Sequence, residues 1–329
     1  MKMVKLLHDK DADMSVMQGK TVAVIGFGSQ GRNQALSMRD SGINVIIGAR
    51  PGASWDMAVE DGFEVMDVAA ASAKADVIHI LLPDERHKQV YEESIKANMT
   101  DGKVLSCSHG FSIIFGMIPA PSNVDIIMVA PKGPGTEVRK AFLEGFGCPG
   151  LIAVHQDKSG KARDIALAMA KAEGLTRAGV MECTFEQETY EDLFGEQNVL
   201  CGGLVDLMKY GFETLVEAGY PAEMAYFECV HEVKLIVDLV IEGGIQKMNS
   251  VISNTAEWGE YVNGPKIITP DVKERMKQSL KEIETGKFAR EWMAEAESGC
   301  KNLLAKRETL GKHEVEIIGK QIRELFEKN

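Results

Sequence analysis

The chain is predicted to fold as a doubly wound α/β domain on a parallel sheet, followed by an all-α domain. Three observations carry that expectation. Short, almost continuously apolar runs alternate with helical patterns between residues 21 and 173. Such runs mark parallel strands covered on both faces, and their alternation with helices marks crossover units. A Gly-x-Gly-x-x-Gly turn closes the first run at Gly26 and leads into a helical pattern. After Cys183 no strand-like run recurs, and only long helical periodicities follow.

Taken in order, the expected strands are 21–26, 44–48, 77–82, 103–107, 125–130 and 151–155, with helices at 30–41, 84–98, 135–144 and 159–173. The later helices are expected at 186–217, 221–242, 243–259, 269–285 and 289–305. Gly219-Tyr220-Pro221 and Asn263-Gly264-Pro265 are read as breaks between them. The domains are therefore placed at 1–183 and 184–329.

At 329 residues the chain is long enough for two such domains, each with a buried core. Its 37 Lys and Arg against 49 Asp and Glu give a net charge of −12, which argues against nucleic acid or an anionic membrane as partner. The six cysteines show no Cys-x-x-Cys spacing, so reduced thiols in the cytoplasm are expected instead of a zinc site or disulfides. The first twenty residues carry charges throughout and are not expected to act as a signal peptide. The apolar stretch 230–241 is interrupted by His231, Glu232, Lys234 and Asp238, so it reads as a buried helix and not a membrane span.

The turn Gly26-Phe27-Gly28-Ser29-Gln30-Gly31 sits between a strand and a helix, the setting of a Rossmann-type dinucleotide site. Gly26 permits the tight turn, Gly28 lets backbone approach a pyrophosphate, and Gly31 lets helix and strand pack closely. After the second strand, where an NAD enzyme usually places an acid, stand Arg50 and Ser54. Both can bind a 2′-phosphate, which favours NADPH. Leu82-Pro83-Asp84, His109 and the loop from Lys132 to Gly135 follow successive strands, at the sheet edge where ligands bind in open α/β folds.

The helical domain carries two pairs of acids four residues apart, Asp192 with Glu196 and Glu228 with Glu232. That spacing puts each pair on one helix face. Both pairs are interleaved with apolar residues, so they are expected to be buried, and buried carboxylates must be paired or bind metal. A site made only of carboxylate oxygens suits Mg²⁺.

Together these segments resemble the short-form ketol-acid reductoisomerases of bacteria and archaea. The resemblance runs nearly the full length, through GFGSQG (26–31), LLPDE (81–85), SHGF (108–111), APKGPG (130–135), ETYEDLFGEQNVLCGG (188–203), YFECVHEVKLI (226–236) and SNTAEWG (253–259). It implies a knotted helical domain and a dimer at least. Two Mg²⁺ ions would be bridged by Asp192 and completed by Glu196, with Glu228 and Glu232 reaching them from the partner subunit. Ser253 would bind the substrate carboxylate, and His109 and Lys132 would lie in the polar network around the metal and the nicotinamide. The implied reaction moves an alkyl group in 2-acetolactate or 2-aceto-2-hydroxybutyrate and then reduces the product with NADPH.

The chain departs from the family pattern in having Arg32-Asn33 after the glycine turn, and one Ser fewer in the loop ending at Trp55, which admits NADH. Two other readings stay open on the residues alone. A metal-free hydroxyacid or imine reductase explains the glycine turn and Lys132 but leaves four acids without a role. For a non-catalytic nicotinamide sensor, His109 and Lys132 would be incidental.

Overall fold

The structure is a computed structural model that describes residues 4–327. It divides into two compact units, the first ending at Thr189 and the second beginning at Tyr190.

The first unit is built on nine strands: β1 (Leu6–Leu7), β2 (Thr21–Ile25), β3 (Asn44–Gly48), β4 (Glu64–Met66), β5 (Val77–Ile80), β6 (Val104–Cys107), β7 (Asp125–Pro131), β8 (Gly150–Gln156) and β9 (Val180–Cys183). They form one sheet in the order β1-β9-β8-β7-β6-β5-β2-β3-β4. From β4 through β3, β2, β5 and β6 to β7 every pair is parallel. That is the 3-2-1-4-5-6 order of a doubly wound dinucleotide-binding sheet, with its reversal of direction at β2.

The doubly wound part is parallel as expected, while the full sheet is mixed: β8 runs antiparallel to β7, and β1 to β9. The cause is local. Gly145 and Gly147, at φ of 80° and 82°, turn the chain back so that β8 starts with Gly150 opposite Pro131, the last residue of β7. A strand that begins beside its neighbour's end can only run backwards along it. Strands β1, β4 and β9 are additions to the expected set; β1 and β4, at two and three residues, are too short to show a period.

Alternation along the strands sends successive side chains to opposite faces. Val22 and Val24 enter one apolar layer with Val45 and Ile47, while Ala23 and Ile25 enter the other with Ile46 and Ile78. Helices α1 (Ser29–Asp40), α2 (Ala53–Glu60), α3 (Val68–Lys74), α4 (Asp84–Val90), α5 (Phe111–Ile114), α6 (Gly135–Leu143), α7 (Ala162–Ala172) and α8 (Leu175–Ala178) cover the sheet or connect its strands. Ala35 and Met38 of α1, Val138 of α6 and five consecutive residues of α7, Ala166 to Ala170, fill the first layer; Ala71 of α3 fills the second. Burial of each Val or Ile in such a layer is worth about 1.5–3 kcal/mol. The expected helix 84–98 is in fact α4 followed by a π turn at Tyr91–Ile95 and a 3₁₀ turn at Lys96–Asn98.

Helix α9 (Phe185–Gly195) opens with Phe185 buried in the second apolar layer. Phe185 thus packs with the first compact unit, which runs on to Thr189. The second unit continues with a π segment at Glu196–Leu200, α10 (Gly202–Glu217), α11 (Ala222–Tyr226), a π segment at Phe227–His231, and α12 (Val233–Val251). Then come α13 (Asn254–Ile267), α14 (Pro270–Glu284), α15 (Lys287–Glu297), α16 (Lys301–Gly311) and α17 (Glu314–Glu327).

Several expected ends move. The helix expected at 243–259 is instead the end of α12, kinked at Gly243 and Gly244, and the start of α13. Asn263-Gly264-Pro265 does not break α13, which loses one backbone donor at Pro265 and runs two residues further. The expected helix 289–305 is cut at Gly299 and Cys300, both at positive φ. One buried apolar cluster of this unit gathers Phe212, Ala225, Tyr226 and Ile322.

Candidate functional site

The first part of the site is the cleft at the C-terminal end of β2, where the strand order reverses. Gly26 sits at φ 98°, and a Cβ there would lie 2.9 Å from the Leu81 carbonyl oxygen. A Cβ on Gly31 would lie 2.2 Å from the Gly26 carbonyl oxygen, so only glycine lets α1 start this close to the turn. The cleft has a volume of about 650 Å³, and Gly26, Phe27, Gly28, Arg50, Ser54 and Leu82 line it together with Pro83. Arg86, Gln89 and Glu93 also line it, and sequence reasoning missed them. Their signal is the three- and four-residue spacing beyond Leu82-Pro83, which sets them on one helical face.

Ser29, Gln30, Gly31, Asp84 and Gly135 stand outside that lining. Ser29 opens α1, and Gln30 turns away to donate from Nε2 to the Gly133 carbonyl at 3.0 Å. Gly135 opens α6 so close to the glycine turn that a Cβ would come within 2.3 Å of the Ser29 carbonyl oxygen. Asp84 opens α4; burial pushes its carboxyl above the usual range, against the pull of His109 and His87.

The second part lies at the ends of β6 and β7. His109 follows β6, Lys132 follows β7, and Glu188 of α9 holds both. The Glu188 carboxylate is 1% exposed and accepts from His109 Nδ1 at 3.1 Å, Lys132 Nζ at 3.0 Å and the Gly110 backbone N–H at 3.1 Å. Burial alone would raise its pKa, but hydrogen bonds and charge from His109 and Lys132 outweigh burial and hold it below the usual value. Gly110 makes the arrangement possible, since a Cβ there would lie 2.1 Å from Thr189 Oγ1. Sequence reasoning gave Glu188 no role. Its signal was indirect: two cations at neighbouring strand ends call for an anion between them.

The second-unit acids are placed differently. Asp192 lies one helical turn after Glu188 on the same helix and is half-buried. Glu196 is the first residue of one π segment, Glu228 lies in the other, and Glu232 caps α12. Glu196, Glu228 and Glu232 are exposed, contrary to the expectation of burial. Of the apolar residues among and around them, Leu193 and Tyr226 are buried while Val199, Leu200, Leu235 and Ile236 are exposed, so the pattern marks the boundary between a core and a surface. None of the three joins a group of His, Cys, Asp and Glu close enough to hold an ion among the described residues. Ser253 is exposed and caps α13, accepting from the Ala256 N–H at 3.2 Å.

A doubly wound sheet with a glycine turn at its switch point, and a His–Glu–Lys cluster at the neighbouring strand ends, defines a Rossmann-type nicotinamide-dependent oxidoreductase. Residues 16–179 match the family model described as acetohydroxy acid isomeroreductase, NADPH-binding domain, and residues 185–328 match that described as ketol-acid reductoisomerase, C-terminal domain. The chain belongs to the ketol-acid reductoisomerase family.

Among its relatives, the ketol-acid reductoisomerase (NADP(+)) of Akkermansia muciniphila is 72% identical over 324 residues, covering 98% of this chain and 99% of the relative. The ketol-acid reductoisomerase (NAD(+)) of uncultured archaeon GZfos26G2 is 59% identical over 329 residues, covering 98% and 99%. A solved structure of an NADH-preferring ketol-acid reductoisomerase from an uncultured archean is also 59% identical and superposes with a TM-score of 0.96, covering 98% of this chain and 99% of that one. The chain is accordingly an NAD(P)H-using enzyme of branched-chain amino-acid biosynthesis. Its reaction moves an alkyl group in 2-acetolactate or 2-aceto-2-hydroxybutyrate and reduces the product. No helix among the described residues is long and apolar enough to cross a membrane.

Proposed function

We propose that the reaction is magnesium-dependent, with residues 1–183 holding the dinucleotide and 184–329 supplying the metal ligands, the substrate contact and the subunit interface. The observation that carries the reading is Glu188, buried and gripping both His109 and Lys132. A buried carboxylate that accepts from both side chains fixes their positions. With Nδ1–H donated to Glu188, Nε2 is the His109 nitrogen that can exchange a proton in the site. Lys132 can donate to the substrate oxygen that gains negative charge as the alkyl group moves.

Asp192, Glu196, Glu228 and Glu232 fit two Mg²⁺ ions by donor chemistry, since all are hard carboxylate oxygens. Both pairs also adjoin π segments, which recur at functional sites. The ions would supply charge stabilisation of the hydroxyl and ketone oxygens of the substrate. Ser253 is assigned to the substrate carboxylate.

The exposed acids stand on apolar ground that water does not favour. Leu235, Ile241, Ile245 and Trp258 are all more than half exposed. A second copy of the chain is the occupant we assign to that surface, so that Glu228 and Glu232 serve the partner's site. NADPH is the proposed hydride donor, supported by Arg50 and Ser54 in the cleft and by the NADP(+)-named relative at 72% identity. NADH is the second reading, favoured by the NADH-preferring relative at 59% identity. The cytoplasm is the proposed location for an enzyme of this biosynthetic family.

Steady-state turnover of 2-acetolactate, with NADPH and with NADH, in Mg²⁺ and in excess EDTA, tests the whole reading. Activity should require Mg²⁺ and show a higher kcat/KM with NADPH. Turnover that persists in EDTA removes the metal assignment, and a higher kcat/KM with NADH transfers the cofactor assignment to the second reading.

A further inference from the structure

Beneath the glycine turn and the Lys132 loop runs a buried chain of polar side chains that the reaction does not use. His79 on β5 and Ser106 on β6 face each other across the sheet, both wholly buried, with Nδ1 and Oγ 2.8 Å apart. His79 Nε2 lies 2.9 Å from Oε1 of Gln34, also wholly buried, on α1. Gln34 Nε2 lies 3.0 Å from Gln30 Oε1 and 3.2 Å from Ser108 Oγ. Gln30 Nε2 lies 3.0 Å from the Gly133 carbonyl oxygen, beside Lys132.

Only one set of directions satisfies every link. A carbonyl only accepts, so Gln30 must present its amide N–H to Gly133 and its oxygen to Gln34. Gln34 therefore presents its N–H to Gln30 and its oxygen to His79. His79 must then carry its proton on Nε2, and its Nδ1 accepts from the Ser106 hydroxyl. Burial supports this neutral form, holding the His79 pKa down at about 4 against the opposing pull of the Ser106 backbone. Reversal of any link would set two acceptors or two donors face to face.

The chain ends where the two loops of the site meet. Gln30 belongs to the glycine turn, Gly133 follows Lys132, and Gly135 packs directly on the Ser29–Gln30 backbone. We propose that His79 and Gln34 are positioning residues: by fixing the polarity of the Gln30 amide, they latch the 132–135 loop to the glycine turn and so hold the dinucleotide site closed to its working shape. The proposal rests on the assignment of that turn as the dinucleotide site.

The test uses two isolated changes at His79 in the full-length enzyme. In His79→Gln the amide nitrogen stands where Nε2 stood and can still donate to Gln34. In His79→Asn the polar atoms stand nearer Nδ1, and that donor is lost. NADPH affinity, read by fluorescence titration without substrate, should weaken about tenfold in His79→Asn, the equivalent of one hydrogen bond in a buried network, and stay near wild type in His79→Gln. The NADPH KM should follow. The kcat at saturating NADPH should change less than about twofold, because Glu188 grips Lys132 independently.

Equal weakening by both variants, or unchanged binding in His79→Asn, overturns the proposal. If His79→Asn is recovered unfolded, Gln34→Met carries the same test: a tenfold weakening supports the latch, and unchanged binding refutes it. A wild type that binds neither NADPH nor NADH would instead overturn the site assignment, and with it the latch.

Discussion

The two units place their apolar side chains in opposite ways. In the first, Val22 to Ile25 and the facing helices are sealed from water on both sides of the sheet, and the polar groups of the site are already gripped, with Glu188 holding His109 and Lys132. In the second, beside a buried cluster at Phe212 and Tyr226, Ile241 is 78% and Trp258 70% exposed. Large apolar surfaces of this kind mark sites of association. The first unit thus covers its apolar side chains within itself, while the second leaves large ones open on its surface.

The largest expected effect breaks that comparison at the second unit. Ile241→Glu places a charge in the surface assigned to the partner copy. The variant should run at monomer mass in light scattering and lose activity by about a hundredfold or more, while NADPH titration stays unchanged. A fully active variant of wild-type mass would show that this surface is not the interface.

A smaller effect is expected from Glu188→Gln, which keeps the shape of the first unit's cluster and removes its charge. The kcat should fall about a hundredfold with little change in NADPH affinity, since what is lost is the anchoring of a proton-transfer pair. An unchanged kcat would mean that Glu188 only fills space. The wild-type contribution also has a pH sign. Glu188 is held below its ordinary 4.5, so its stabilisation is present above that value and is lost as pH falls through the folded pKa.

The smallest effect sharpens the view of the first unit as a sealed core. Glu173 is 1% exposed, and burial pushes its pKa well above 4.5. An acid whose folded pKa is raised loses stability as pH climbs from 4.5 toward the folded value. Glu173→Gln removes that penalty, so its thermal midpoint should exceed wild type by roughly 2–4 °C at pH 8 and by less at pH 5. A gap that does not widen with pH would show that Glu173 is stably ionised.

What could be read from the sequence was what local chemistry determines. The glycine turn, the apolar strands and the placement of His109 and Lys132 at strand ends follow from neighbours within a few residues. The reversal of β8 could not be read, because it depends on where the chain re-enters the sheet after Gly145 and Gly147. Glu188 escaped notice because its partner His109 is 79 residues away in the chain. The exposure of Glu196, Glu228 and Glu232 could not be read either, because apolar neighbours have the same spacing whether the helix face they share is covered or open.

The π segments at Glu196–Leu200 and Phe227–His231 carry one more consequence. An α-helix advances about 100° per residue, so a wider π turn shifts the angular phase of everything after it. Both pairs of acids lie at such seams, Asp192 before one and Glu196 on it, Glu228 on the other and Glu232 just after. The helices thus change phase where the carboxylates are carried, so their direction is tied to the number of residues in each seam as well as to their identity.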